Sequence, residues 1–158
     1  MKQTTNCFLL NDRGEILLAM KKRGFGTGKW NGVGGKVQEG EDIAAAALRE
    51  IKEEIGVTVP PDALQSAGVL EFNYSDNHDW DQACNVFTAR RWEGSPVESE
   101  EMRPQWYAIH KLPFDAMWVD DPHWLPLVLA GKKIKGRFLF DDSGKEILNF
   151  AVSEVYPQ

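Results

Sequence analysis

The chain has 158 residues, of which 42% are hydrophobic and 27% are charged, and its formal net charge is -6. This length and composition predict one globular domain over residues 1–158. The negative charge argues against binding of a nucleic acid polymer through its phosphates. No apolar run in the sequence is long enough to cross a bilayer, so we expect no membrane partner. A small polyanionic substrate is compatible with this charge if metal ions neutralise its phosphates.

The N-terminal segment and the cysteines indicate the compartment. Residues Met1 to Asn6 lack the apolar core of a secretion signal. Cys7 and Cys84 lie in apolar, strand-like contexts, which is typical of buried thiols in a reducing compartment. Together these features predict a cytoplasmic protein. The sequence is silent on oligomeric state, for which a monomer is the simplest expectation.

Hydrophobic periodicity and turn residues predict a chain of strands with two main helices. The N-terminal part is predicted to form a strand at 4–10 that turns at 11–14 into a returning strand at 15–20, followed by a glycine-rich loop at 24–28 and a helix between Asp42 and Gly56. The middle part is predicted to form paired strands at 64–74 and 82–91 with a polar tip between them, and then an acidic loop at 93–102 and a short strand at 105–109. The C-terminal part is predicted to form a helix at 121–129 and a terminal hairpin of 134–140 and 146–155. The predicted class is α/β or α+β with a mixed sheet.

The helix between Asp42 and Gly56 carries the clearest pattern in the chain. Asp42 is placed to favour the helix N-terminus, and Gly56 is placed for a left-handed C-terminal cap. At about 100° per residue, an apolar stripe forms along one side of the helix. Its members are Ile43, Ala47, Ile51 and Ile55. Beside the stripe, Glu50, Glu53 and Glu54 share an arc of roughly 100°.

Two interpretations of this glutamate arc are open. Like charges at this spacing repel by a few tenths of a kcal/mol per pair, and the ordinary fate of a charge run is a solvated helix face. Carboxylates at i, i+3 and i+4 also suit a hard cation such as Mg²⁺ or Mn²⁺, which binds carboxylates together with water and substrate phosphate.

The stretch from Gly35 to Val57 decides between these interpretations by resemblance. Gly35, Glu41, Arg49-Glu50-Ile51, Glu53-Glu54 and Gly56-Val57 match every fixed position of the box that defines the Nudix hydrolases. Segments such as Met20–Gly26, Lys29–Gly32 and Met117–Asp121 further resemble the branch of oxidised purine nucleoside triphosphatases, the mammalian MutT homologues. The resemblance implies a mixed sheet sandwiched between helices. It also implies hydrolysis of a nucleoside triphosphate to the monophosphate and pyrophosphate.

The resemblance assigns roles around the phosphates. It implies that Mg²⁺, with Mn²⁺ as an alternative, is held by Glu50, Glu53, Glu54, Glu101 and the backbone carbonyl of Gly34. The base that activates water is left open between Glu53, Glu54 and Glu101, since coupled carboxylates blur such an assignment. Arg49 is expected to orient a glutamate of the box. Lys21 is expected near the phosphates, and its alternative is an exposed lysine at a strand end.

The resemblance also implies a pocket for the base. The aromatic and apolar residues expected to stack on or enclose a purine are Phe25, Phe72, Met102, Trp118 and Trp124. For Phe72 and Trp124, a purely structural place in the core is an equal alternative. Asp120 and Asp121 are expected to face the edge of the base, with Asn31 opposite. The alternatives for this acidic pair are a solvated loop or a helix cap.

Two close carboxylates in an apolar pocket cannot easily both stay ionised, so one pKa should rise. Exchange of a proton within the Asp120–Asp121 pair would let one pocket recognise both oxidised guanine and oxidised adenine. Several differences from the mammalian pattern affect the pocket rim: Asn6 and Cys7, the tip at 75–82, and Pro60-Pro61. Rival functions are another Nudix activity, on ADP-ribose, dinucleoside polyphosphates or a methylated purine triphosphate, and a non-catalytic nucleotide sensor. A plain acidic scaffold that binds divalent ions nonspecifically is the third.

Overall fold

A computed structural model of the chain describes residues 1–156. Its larger sheet has five strands: β1 (Lys2–Leu9), β4 (Leu64–Tyr74), β5 (Gln82–Ala89), β7 (Lys133–Phe140) and β8 (Ile147–Val155). Their order is β1-β5-β4-β7-β8, with β1 parallel to β5 and β4 parallel to β7. The remaining pairs, β4 with β5 and β7 with β8, are antiparallel. The predicted mixed sheet, the predicted pairing of β4 with β5 and the predicted terminal hairpin of β7 and β8 are therefore confirmed.

A second, antiparallel sheet contains β2 (Glu15–Lys21), β3 (Trp30–Asn31) and β6 (Met102–Ala108), in the order β3-β2-β6. The prediction that β2 returns along β1 is wrong, because a single bridge between Leu10 and Ile16 joins them. The free edge of β1 is instead occupied by the segment 33–36, through bridges from Cys7 to Val33 and from Thr4 to Lys36. Strands β1 and β2, which were predicted to form a hairpin, thus belong to different sheets.

The two helices cover opposite faces of this arrangement. Helix α1 (Ile43–Ile55) packs its Ala47, Ile51 and Ile55 into one core, and helix α2 (Asp121–Leu129) packs Trp124, Leu125 and Val128 into the other. Neighbouring residues of β1 and β2 alternate between the two cores, so both faces of these strands are buried. Burial of each large aliphatic side chain contributes about 1.5–3 kcal/mol. The predicted sandwich of sheet between helices is confirmed.

Some predicted boundaries differ from the structure. Strand β6 begins at Met102, within the segment predicted to be an acidic loop, and ends at Ala108. It tolerates Pro104 because it pairs with β2 on one side only. The two-residue strand β3 was not predicted, since it is too short for a periodic pattern. Within residues 1–156, no helix has the length and apolar character that a membrane span requires.

Candidate active site

Helix α1 is positioned by caps at both ends. The Asp42 side chain accepts a hydrogen bond from the Ala45 amide at 3.2 Å, which satisfies one of the free donors of the first turn. Gly56 takes the left-handed conformation, with φ of 73°, and its amide donates to the Lys52 carbonyl. The apolar stripe is directed into the core, since Ala47, Ile51 and Ile55 are fully buried. Glu50, Glu53 and Glu54 therefore lie beside this buried stripe, as predicted.

Arg49 organises the carboxylates around the start of this helix. Its guanidinium donates to both oxygens of Glu41, at 2.8 and 2.9 Å. It also donates to Glu50 at 2.8 Å and to Glu53 at 3.2 Å. The planar guanidinium carries five N–H donors in a fixed fork, whereas a lysine ammonium carries three donors on one atom, too few for the four carboxylate oxygens that Arg49 contacts. Glu50 and Glu53, two of the three glutamates beside the apolar stripe, are thus paired with Arg49. The same guanidinium lowers the pKa of Glu41 to about 2.

The glycines before the helix allow the backbone to approach closely. A Cβ atom at Gly35 would lie 2.6–2.8 Å from the carboxylate of Glu50. A Cβ atom at Gly34 would lie 1.9 Å from the carbonyl oxygen of Thr5 on β1. A side chain at Gly34 would therefore have to move strand β1, and one at Gly35 would displace the carboxylate of Glu50. The predicted site residue Gly34 therefore lies between β1 and the carboxylates of α1.

Glu54 differs from its neighbours because nothing in the described chain satisfies one of its oxygens. Its Oε2 is buried and makes no hydrogen bond within residues 1–156. The pKa of Glu54 is raised to about 8, chiefly by burial and next by the charge of the nearby Glu50, against the opposing effects of a Gly34 backbone hydrogen bond and the Lys21 charge. A carboxyl group with such a pKa is able to accept or release a proton near neutral pH.

This shift predicts how stability depends on pH in metal-free buffer. The folded-state pKa of Glu54 lies above its reference value of 4.5, so its contribution is complete below pH 4.5 and is lost as the pH rises through about 8. Between pH 5 and pH 9, we expect the free energy of unfolding of the Glu54→Gln variant to fall by about 4 kcal/mol less than that of the wild type. Calorimetric unfolding in chelator from pH 5 to 9 measures the difference. Parallel stability curves for the two proteins would contradict the shift.

One cavity of about 340 Å³ brings most of the predicted site residues together. All nine residues predicted to bind the substrate line it: Lys21, Phe25, Asn31, Phe72, Met102, Trp118, Asp120, Asp121 and Trp124. Three of the predicted metal ligands also line it: Gly34, Glu54 and Glu101. The cavity therefore runs from the carboxylates of α1 to the acidic pair at the start of α2.

Three of the predicted site residues do not line the cavity. Glu50, Glu53 and Arg49 interact with one another, and the side chain of Glu53 is 59% exposed. Glu101 lines the cavity but pairs with Arg23 at 3.3 Å. Across residues 1–156, no three His, Cys, Asp or Glu side chains converge in a group able to hold a metal ion. The predicted set of five metal ligands therefore stays a prediction.

The donors present nevertheless fit a hard divalent cation. The Oε2 of Glu54 is buried without a hydrogen-bond donor, and the charge of the neighbouring Glu50 disfavours ionisation of Glu54 when no cation is bound. Carboxylate and carbonyl oxygens are the ligand types that Mg²⁺ and Mn²⁺ prefer. A cation bound here would remove the repulsion between Glu50 and Glu54. The residues that would hold it are these two glutamates and the carbonyl of Gly34.

The acidic pair at the other end of the cavity is deeply buried. Asp120 is 5% exposed and Asp121 is 2% exposed, so the alternative of a solvated loop is wrong. The capping alternative is also wrong, because helix α2 begins at Asp121 and Asp120 makes no side-chain capping hydrogen bond. The indole Nε1 of Trp124 donates to Asp120 Oδ2 at 2.8 Å. Trp124 is fully buried in the core and also lines the cavity, so its structural place is confirmed and its contact with a purine stays a prediction.

Asp121 is the second orphaned carboxylate among residues 1–156. Its Oδ2 is buried without a hydrogen-bond partner. Burial raises the pKa of Asp121 well above its ordinary value, and the adjacent Asp120 raises it further. Burial also raises the pKa of Asp120, against the lowering effect of the Trp124 hydrogen bond. The predicted rise of one pKa in this pair is thus present, and it is greater for Asp121.

Aromatic side chains form the mouth of the cavity. Phe25 stacks on Trp118 with ring centroids 5.3 Å apart and also contacts Trp80 at 5.1 Å. Two of the segments expected at the pocket rim do lie there, since Asn6 and Gln82 line the cavity and Trp80 of the polar tip contacts Phe25. The other lining residues were not predicted, and these are Thr4, Thr5, Ala19, Gly26, Lys29, Gly32, Gly35, Lys36, Tyr74, Cys84, Phe140 and Gly144. The alternation of β4 could have revealed Tyr74, which shares a face with Phe72.

Known proteins resemble this chain over most of its length. The model of the NUDIX domain matches residues 2–128, and the chain therefore belongs to the Nudix family. Two relatives named oxidized purine nucleoside triphosphate hydrolase are similar to it. The zebrafish protein (Danio rerio) is 51% identical over 80% of both chains. The mouse protein (Mus musculus) is 46% identical over 89% of this chain and 87% of its own.

Solved structures support the same fold. The crystal structure of the mutator MutT protein from Bacillus halodurans superposes with a TM-score of 0.83 at 25% identity. The match covers 96% of this chain and 97% of that one. It extends through the terminal hairpin of β7 and β8, beyond the residues that the domain model matches.

Proposed function

We propose that this protein hydrolyses oxidised purine nucleoside triphosphates, of the 8-oxo-dGTP and 2-hydroxy-dATP type, to the monophosphate and pyrophosphate. One observation carries the proposal. A single cavity joins an orphaned glutamate of the Nudix box to a buried pair of aspartates, in a chain about half identical to two proteins named for this activity. The first end suits a metal-bound phosphate chain, and the second suits the polar edge of a base. The biological role that follows is removal of damaged nucleotides from the pool.

The phosphate end requires a divalent metal ion, for which we propose Mg²⁺, with Mn²⁺ as a substitute. When bound by Glu50, Glu54 and the Gly34 carbonyl, with Glu53 and Glu101 as further candidates, the ion would neutralise phosphate oxygens and polarise phosphorus. Lys21 lines the same cavity and adds a positive charge beside the phosphates. Without such cations, the charge of a triphosphate repels an incoming hydroxide.

A carboxylate of this end would take the proton of the attacking water. Water oxygen forms a bond to phosphorus, the proton passes to the carboxylate, and the phosphoanhydride bond breaks to release pyrophosphate. Glu54 and Glu101 are better placed for this role than Glu53, because they line the cavity.

At the base end, we propose that Asp120 and Asp121 share a proton, so that one donates a hydrogen bond while the other accepts one. Their buried position and raised pKa values support this exchange. Phe25, Phe72, Met102 and Trp118 would enclose the flat faces of the purine. Asn31 would supply a further polar contact to its edge.

Arg49 is proposed to position the glutamates without touching the substrate. We expect Arg49→Lys to lower kcat about tenfold or more with KM nearly unchanged, and to destabilise the fold by about 1–3 kcal/mol. Lysine cannot bridge Glu41, Glu50 and Glu53 together. The matched control is Arg91→Lys, since Arg91 makes one exposed ion pair with Asp62 and should matter little. Steady-state kinetics with thermal unfolding measures both effects, and a rise in KM alone would indicate substrate contact.

Four coarser properties complete the proposal. We propose that residues 1–158 act as one domain and as a monomer, and that the substrate is a small nucleotide and not a nucleic acid polymer. We propose a reducing compartment, the cytoplasm, because Cys7 and Cys84 are buried and free.

The test of the proposed function is pyrophosphate release from a nucleotide panel with Mg²⁺, with Mn²⁺ and with chelator. The panel contains 8-oxo-dGTP, 2-hydroxy-dATP, a methylated purine triphosphate, a dinucleoside polyphosphate, ADP-ribose and unmodified dGTP, with phosphate-containing products resolved chromatographically. Metal-dependent release of pyrophosphate and monophosphate from the oxidised purines supports the proposal. Preference for another nucleotide indicates a different Nudix activity. Hydrolysis of none of them, with nucleotide still bound, indicates a sensor.

A further inference from the structure

Asn6 and Asn31 lie side by side in the wall of the cavity, and the hydrogen bonds around them fix the orientation of one amide. Asn6 belongs to β1 and is 8% exposed. Asn31 belongs to β3 and is half-buried. Both line the cavity. Asn6 Nδ2 donates to Asn31 Oδ1 at 3.0 Å.

A backbone donor identifies which atom of Asn31 is the oxygen. The amide N–H of Gly32 donates to the same Oδ1 at 2.8 Å. A backbone N–H can only donate, so the side-chain atom that it contacts must be the acceptor. With two donors on Oδ1, a flip of the Asn31 amide would place its amino group against two other donors. The Nδ2 of Asn31 makes no hydrogen bond within residues 1–156 and is the end left for a ligand.

The backbone holds this arrangement in place. A Cβ atom at Gly32 would lie 2.1 Å from Asn6 Oδ1, so Asn6 occupies space that only glycine leaves free. Cys7 and Val33 exchange backbone hydrogen bonds at 2.7 and 2.9 Å, immediately beside the two asparagine-bearing positions. The side chain of Asn6 is therefore confined between β1 and the turn after β3.

We propose that Asn6 is a positioning residue, which locks the Asn31 amide with its donor end available to the ligand. Position 31 then selects an acceptor, such as a carbonyl oxygen, on the edge of the base. This inference rests on the proposed function. It predicts that the pocket favours an oxidised guanine, which carries a carbonyl at position 6, over an oxidised adenine, which carries an amine there.

The test compares binding of two monophosphates that are not turned over, 8-oxo-dGMP and 8-oxo-dAMP, by titration calorimetry. Asn6→Asp is isosteric but cannot donate, so it places an acceptor against Asn31 Oδ1. We expect the ratio of the Kd for 8-oxo-dAMP to the Kd for 8-oxo-dGMP to fall about tenfold in this variant, since one hydrogen bond is lost. Asn6→Ala removes the donor without placing an acceptor against Asn31 Oδ1, which still accepts from the Gly32 amide. In this variant the ratio should therefore fall less, by about threefold.

The matched control is Asn85→Asp. Asn85 lies on the neighbouring strand β5, is also 8% exposed, and donates to Gln3 Oε1 and to the backbone carbonyl of Thr4, and its side chain does not line the cavity. This control should lose similar thermal stability while leaving the Kd ratio unchanged. If Asn6→Asp, or Asn6→Ala where the aspartate variant does not fold, leaves the ratio as in the control, Asn6 has no positioning role. If the wild type binds neither monophosphate, this inference fails, while the proposed function is decided separately by pyrophosphate release from the triphosphates.

Discussion

Replacement of Glu54 by glutamine should reduce kcat for 8-oxo-dGTP by about 1,000-fold, which corresponds to about 4 kcal/mol of transition-state stabilisation. Glutamine keeps the size of the side chain but can neither carry the charge that binds a cation nor take up a proton. The Oε2 atom of Glu54 is buried and makes no hydrogen bond within residues 1–156, which leaves this oxygen available to a cation. Glu53→Gln should also reduce kcat by orders of magnitude, and its fold should be intact because the side chain is exposed.

The control for these variants is Glu71→Gln, an exposed glutamate of β4 outside the cavity. Its kinetics should match the wild type. The Glu54→Gln protein should remain folded by circular dichroism, since the change removes a buried charge and leaves the apolar stripe of α1 untouched. Turnover by Glu54→Gln within a few-fold of the wild type would remove this residue from both the metal site and the proton transfer.

Replacement of Asp120 or Asp121 by asparagine should change the two oxidised substrates unequally. Asparagine cannot exchange a proton, so each variant fixes the hydrogen-bonding pattern that the acidic pair otherwise adjusts. We expect each variant to lose about 10- to 100-fold in kcat/KM for one of 8-oxo-dGTP and 2-hydroxy-dATP, and much less for the other. Asp121→Asn resembles the neutral form that burial favours at this position, so it should retain more activity on its better substrate.

The exposed Asp62 provides the control, because Asp62→Asn removes only a surface ion pair with Arg91. Kinetics for both triphosphates should be measured with all three variants at one pH. Wild-type values of kcat/KM for both substrates in Asp120→Asn and in Asp121→Asn would show that the pair does not recognise the base.

Local patterns in the sequence are enough to predict most of the secondary structure. The apolar stripe of Ile51 and Ile55, together with Asp42 and Gly56, predicts helix α1 with the caps that it has. Alternation predicts β4 and β5. The pairing of β1 is not predictable in this way, because its partners are β5, more than 70 residues away, and a segment with no strand pattern of its own. A turn at 11–14 indicates a reversal of the chain but not which sheet the next strand enters.

The candidate site is predictable where a motif places residues at fixed spacing. Glu54, Asp120 and Asp121 stand out in the sequence, and the structure brings them to one cavity. The contribution of Asn6 is not predictable, because a lone polar residue in an apolar strand gives no indication of its partner on β3. The orientations of Glu50 and Glu53 are also set by contacts beyond the helix pattern. Their side chains turn toward Arg49, which itself bridges back to Glu41.

The most direct test of the account is anomalous diffraction from crystals grown with Mn²⁺ and a non-hydrolysable oxidised purine triphosphate analogue. The account predicts manganese peaks within coordination distance of Glu54 and Glu50, in contact with phosphate oxygens, and the base beside Asp120 and Asp121. Crystals that contain the bound nucleotide but show no manganese at Glu54, with Glu50 and Glu53 still paired only with Arg49, would contradict it.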